Sequence, residues 1–210
     1  YRLKGRDVEA RAGKEVILSA GSVQSPQLLE LSGIGRPDVL KPLGIEVRHE
    51  LMGVGENLQD HYTSRLVWRV KNARTLNEQA HGLRLVGEAI KFATQGRGAL
   101  TMSAGVVAGF VRSRPELEVP DIQYHIAHAS FDDPKRRILH KFPGLTFAPL
   151  QLRPESRGSI HIKSADPVAP PAIVQNFLST ETDRQVHLAG QKIARDSVNT
   201  EAMKPYIVEE

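Results

Sequence analysis

Along residues 1–60 the apolar positions come in short runs separated by glycine. Val16-Ile17-Leu18 is continuous and apolar, the pattern of a strand buried on both faces in a parallel sheet. Residues 8–10 and 15–19 read as strands around Ala12-Gly13, and the second ends at Ala20-Gly21-Ser22. Ser25-Pro26-Gln27 predicts a helix start, with Ser25 as N-cap and Pro26 at the first helical position. Leu28, Leu29 and Leu31 give that helix its apolar face, and Gly33 ends it. A second short helix follows Pro37-Asp38, carries Val39, Leu40 and Leu43, and stops at Gly44. Residues 45–49 read as a short strand and 51–60 as loop. Residues 62–70 alternate through Tyr62, Ser64, Leu66, Trp68 and Val70, as a half-buried strand does. A helix over 75–94 carries Leu76, Leu83, Val86, Ile90 and Phe92, and the Gly-rich stretch 95–98 stops it.

The second half changes period. Residues 106–111, 122–128, 145–152 and 159–163 look like four strands joined by turns of Pro, Asp, Gly and Ser. Strands in succession without intervening helices predict an antiparallel sheet. Pro167, Pro170 and Pro171 form a link to Thr180, which caps a helix running to about residue 197, with Leu188 and Ile193 on its buried face. The expected fold class is therefore α+β, mixed. Residues 1–60 read as the end of an α/β domain, 61–178 as an antiparallel-sheet domain with helices, and 179–210 as a helical segment.

The chain has 210 residues, 40% hydrophobic and 25% charged, which is globular composition with room for a real core. Its 28 Lys and Arg against 24 Asp and Glu leave +4, too small an excess to argue for nucleic acid. There is no Cys, which excludes disulfides, thiolate zinc sites and a Cys nucleophile and fits a reducing compartment. No apolar run approaches the roughly 18 residues of a membrane helix. The chain opens on Tyr1-Arg2-Leu3-Lys4-Gly5 without a starting Met, as a piece of a longer polypeptide would.

Few motifs carry chemistry by themselves. Gly33-Ile34-Gly35 and Gly53-Val54-Gly55 are G-x-G pairs, but Asp38 and Leu58 stand where a dinucleotide loop needs its third glycine. There is no G-x-S-x-G elbow. Of the eight histidines, His125 and His128 are three apart on a predicted strand and so face opposite ways, which speaks against a shared metal. His61 beside Asp60 ends the glycine loop and is either functional or held by a local hydrogen bond. Lys135-Arg136-Arg137 is a basic patch with too few aromatic neighbours for a base-stacking platform, and a solvated loop accounts for it.

One segment goes further. The fifteen residues from Gly21 to Gly35, GSVQSPQLLELSGIG, resemble the second signature of the glucose–methanol–choline (GMC) flavin oxidoreductases at every constrained position. Lys14 to Ala20 resemble the family's strand into it, and Gly53-Val54-Gly55-Glu56-Asn57-Leu58-Gln59-Asp60-His61 its next loop. Ser156 to Pro167, SRGSIHIKSADP, look like the start of the family's C-terminal segment, and Asp121-Ile122-Gln123-Tyr124-His125 is similar to a strand of bacterial choline-dehydrogenase-like members.

The resemblance implies FAD as cofactor and hydride transfer from an alcohol to flavin, giving an aldehyde or ketone. The electrons pass on to a quinone-type acceptor or oxygen. Ala20, Gly21, Ser22 and Ser25 are expected at the FAD phosphates, where a strand ends, glycine lets backbone approach and a helix N-terminus offers free N–H groups. Asn57, Asp60 and His61 are expected to cover the flavin. Tyr124, Phe131 and Phe147 are expected to line the substrate pocket, unless they are core aromatics. The family's pyrophosphate loop and catalytic His block are missing, so the chain resembles the centre of a flavoenzyme, inactive when isolated. No catalytic residue and no metal ligand are expected. The expected location is cytoplasmic, or peripheral to the inner membrane. The competing expectation is a non-catalytic remnant or interaction module without cofactor.

Overall fold

The computed structural model describes residues 1–103 and 105–210. The fold is mixed α+β, and the chain divides into two compact units. Residues 1–58 and 157–175 form one; residues 59–156 and 176–210 form the other. Residues 157–175 thus return to the first unit, although the sequence pattern places them with the sheet that precedes them.

In the first unit the helix spans Gly21–Leu31, starting four residues before the expected N-cap. Ser25 lies one turn inside the helix, and its Oγ accepts the Ala20 N–H at 3.1 Å. Pro26 lies inside the helix as its sixth residue, where it offers no N–H to the Ser22 carbonyl one turn earlier. Ile34–Gly35 pairs in parallel with His49–Glu50, so the strand expected over 45–49 forms only at its end. Ser159–His161 pairs antiparallel with Ala172–Val174, and Leu58 bridges Gly158. Leu40, Val54, Ile160 and Ile162 are the buried apolar residues here. The strand expected over 15–19 is not formed. Strand structure needs a hydrogen-bonding neighbour, none of the described residues pairs with this stretch, and Val16 and Ile17 are 78% and 77% exposed.

The second unit is built on a five-stranded antiparallel sheet, ordered Ile207–Glu209, Leu66–Val70, Gly144–Gln151, Ile122–Ala127, Val107–Val111. Three of the four strands expected in the second half enter it, and the fourth, at 159, belongs to the first unit. Register sets the faces. Phe147 stands opposite Leu66 and Ile126, and Pro149 opposite Tyr124. Leu66, Trp68, Ile122, Tyr124 and Phe147 therefore share one face. Helix Glu181–Val198 covers that face with Val186, Ala194 and Val198, and its N-cap Thr180 accepts the Asp183 N–H at 3.2 Å. Gly190 lets the helix come close, since a Cβ there would lie 3.0 Å from Pro149 Cβ. The helix expected over 75–94 is two helices, Leu76–Gln79 and Gly82–Gln95, broken at Ala80-His81. Thr75 is the N-cap of the first, and its N–H meets Glu78 Oε2 at 3.3 Å.

Candidate functional site

The site begins where residues 15–19 run into the signature helix. Gly21 has φ +82, and a Cβ there would meet nothing within 4 Å. Gly21 and Ser22 are exposed. The helix N-terminus carries no side-chain cap and no acidic residue in its first turn. Its leading N–H groups and positive dipole end are therefore free of a competing anion, the environment a phosphate takes. The residues present fit the diphosphate of a dinucleotide.

The 53–58 loop is fixed by its neighbours in the same unit. Ile160 N–H donates to Gly55 O at 2.7 Å, and Leu58 and Gly158 exchange backbone bonds of 3.0 and 2.8 Å. Gly55 has φ +77, and a Cβ there would collide with the Ile160 carbonyl and stand 2.7 Å from His161 Nδ1. Only glycine fits. Asn57 takes φ +60, a conformation Asn tolerates better than other side chains.

Between loop and helix lies a chain of charges that motif reading missed. Glu30, wholly buried, places Oε1 2.6 Å from His161 Nδ1 and receives the Ile162 N–H on Oε2 at 2.7 Å. His161 Nε2 lies 3.1 Å from Glu56 Oε1, which also takes Arg36 Nη1 at 2.7 Å. Arg36 grips Asp38 with Nε and Nη2 at 3.1 and 2.7 Å. That hydrogen-bonded pairing raises the Arg36 pKa and lowers that of Asp38. The available signal was Glu30 itself, a carboxylate inside the apolar run Leu28 to Leu31.

Asp60 and His61 belong to the second unit and are exposed. His61 N–H donates to Asp60 Oδ1 at 2.8 Å, and His61 Nε2 lies 3.4 Å from Leu152 O. Tyr124 and Phe147 lie in the core, 4% and 8% exposed, and this corrects their expected place in a pocket. Register turns both toward the C-terminal helix, where the Tyr124 hydroxyl donates to Gly190 O and Phe147 meets Trp68 edge-on at 5.5 Å. Burial pushes the Tyr124 pKa up to about 12. Phe131 is half-buried on a short hairpin of Phe131–Asp133 with Ile138–Leu139. The opposite face of the sheet is open at Phe110 and His125, where Gln123 Nε2 and His125 Nε2 lie 3.0 Å apart.

A second cluster in this unit joins Ser64 Oγ to His187 Nε2 at 2.8 Å, with Gln191 Nε2 donating to Ser64 Oγ at 3.0 Å. The spacing suits a nucleophile and its base. The adjoining cavity, lined by Asp60, Tyr62, Phe177 and His187 among others, measures about 10 Å³, too small for a substrate. Burial lowers the pKa of His187. Nearby, Asp183 accepts the Glu155 and Ser156 N–H groups at 2.9 and 2.8 Å and the Ser156 hydroxyl. Burial opposes its charge, and these bonds outweigh burial, so its pKa is lowered.

Comparison with known proteins gives this geometry its class. Two family models described as GMC oxidoreductase match residues 3–63 and 154–210, together more than half of the chain. The chain belongs to the GMC oxidoreductase family. An oxygen-dependent choline dehydrogenase of Chromohalobacter salexigens is 34% identical over 208 residues, covering 98% of this chain and 37% of that protein. The protein of that name from Klebsiella pneumoniae is 38% identical over 201 residues, covering 94% and 36%. A structure of Aspergillus oryzae RIB40 formate oxidase, from work on its FAD modification, superposes with TM-score 0.83 at 26% identity, covering 95% of this chain and 39% of that one. The chain spans a little over a third of the length of these curated relatives. Among the described residues, no helix is long and apolar enough to cross a membrane.

Proposed function

We propose that this chain is part of an FAD-dependent oxidoreductase acting on alcohols. The observation that carries this reading is the exposed, uncapped helix N-terminus at Gly21, inside a signature of the family to which the chain belongs. The backbone N–H groups of residues 21–23 and the hydroxyls of Ser22 and Ser25 would hold the FAD phosphates, with Ala20 at the approach. Asn57, with Asp60 and His61, would lie along the flavin. Of the residues expected at the substrate, Phe131, half-buried on its hairpin in the second unit, would contact the alcohol. When bound, FAD supplies a hydride-accepting ring system. The alcohol carbon gives up a hydride and its hydroxyl a proton, leaving an aldehyde or ketone. No residue of this chain is assigned as the base that takes the proton. Oxygen or a quinone-type acceptor would receive the electrons, in the cytoplasm or at the periphery of the inner membrane.

The test is anaerobic addition of primary and secondary alcohols to the polypeptide that carries these residues. Bleaching of a bound flavin by an alcohol is the expected result. A polypeptide without flavin would instead favour an interaction module.

A further inference from the structure

His161 has a carboxylate on each ring nitrogen. Nδ1 lies 2.6 Å from Glu30 Oε1, and Nε2 lies 3.1 Å from Glu56 Oε1. A neutral imidazole donates from only one nitrogen, and its other nitrogen would turn a lone pair toward a carboxylate oxygen, which is also an acceptor. With both carboxylates ionised, both contacts hold together only when both nitrogens carry hydrogen. The three side chains come from three separate elements: Glu30 from the signature helix, Glu56 from the 53–58 loop, and His161 from the strand Ser159–His161. Glu30 is fixed independently by the Ile162 N–H. Beyond Glu56 the charged groups are Arg36 and, behind it, Asp38. The loop's backbone ties, Ile160 N–H to Gly55 O and the Leu58–Gly158 pair, flank Glu56 on both sides.

We propose that His161, as an imidazolium clasped between Glu30 and Glu56, is the positioning residue that fixes the 53–58 loop against the signature helix. Resting on the FAD reading above, it presets the loop that would cover the cofactor. With hydrogen on only one nitrogen, one attraction becomes lone-pair repulsion, and the loop keeps its backbone ties but loses one side of the clasp. An arginine at 161 keeps a cation between the two carboxylates at any ordinary pH. A leucine provides none.

The experiment compares wild type, His161→Arg and His161→Leu by hydrogen–deuterium exchange at about pH 6 and about pH 9, pH values that bracket histidine titration. Exchange in helix Glu181–Val198 serves as internal control. The 53–58 amides are expected to be protected in wild type at the lower pH and in the Arg variant at both. In the Leu variant they exchange at least about tenfold faster, a gap of about 1.4 kcal/mol or more. FAD affinity follows the same order. Loop protection in the Leu variant equal to wild type, or failure of the Arg variant to restore it, overturns the clasp. Should the Leu variant not fold, ring ¹⁵N resonances of wild-type His161 near neutral pH decide: two protonated nitrogens support the clasp, one overturns it. Loop exchange that follows this order in a polypeptide that binds no FAD supports the clasp and overturns the FAD reading alone.

Discussion

Glu30 Oε1 and His161 Nδ1 lie 2.6 Å apart although 131 positions separate them in the chain. This contact closes the first unit, joining the signature helix to a strand that follows, in the chain, four of the five strands of the second unit's sheet. A carboxylate with no exposed surface survives there only because both oxygens are used, one by the imidazole and one by the Ile162 N–H.

Glu30→Ala removes one partner of this buried pair and leaves the Ile162 N–H without an acceptor. The expected loss is about 3 kcal/mol. Urea unfolding should show a lower midpoint with an unchanged slope.

Gly55→Ala forces a side chain into a left-handed backbone position and against the Ile160 carbonyl. Conformational strain and overpacking together predict a loss of about 2 kcal/mol or more. Thermal unfolding checks this, and Gly53→Ala is the control, since a Cβ at Gly53 meets nothing within 4 Å.

Burial lowers the folded-state pKa of both His187 and His128 below the ordinary 6.5. The unfolded chain then binds more protons than the folded one as pH falls through 6.5 and below, so stability falls with pH in that window and is complete above it. Melting temperatures measured between about pH 7.5 and about pH 5.5 should decline, and His187→Gln should flatten part of that decline.

Tyr124→Phe deletes a hydroxyl that satisfies the Gly190 carbonyl in the core. The expected cost is about 1 kcal/mol of stability. FAD affinity should stay unchanged. A changed substrate preference with unchanged stability would return Tyr124 to the pocket.

Much of the second unit is legible in the sequence, because alternation through Leu66, Trp68 and Val70 and the cap at Thr180 are local signals. The edge strand Ile207–Glu209 is too short to leave a pattern. The start of the signature helix is misplaced because Ser25-Pro26 imitates an N-terminus, while the real one relies on Gly21 and backbone geometry. Tyr124 and Phe147 could not be assigned to core or pocket before strand register showed which face the helix covers. The charge chain through Glu30, His161 and Glu56 joins three distant segments, and no window of sequence displays it.

The central claim is that the helix N-terminus at Gly21 receives the FAD phosphates. Ser22→Asp separates this from structural effects. An acidic residue in the first turn favours the helix, by about 0.3–1 kcal/mol, yet repels a phosphate held there. FAD titration of the polypeptide carrying these residues, with melting temperature measured alongside, is the most direct test. The predicted result is FAD binding by wild type and at least about tenfold weaker binding by Ser22→Asp, at equal or higher melting temperature. Equal FAD affinity in the two, or no binding by wild type, would contradict it.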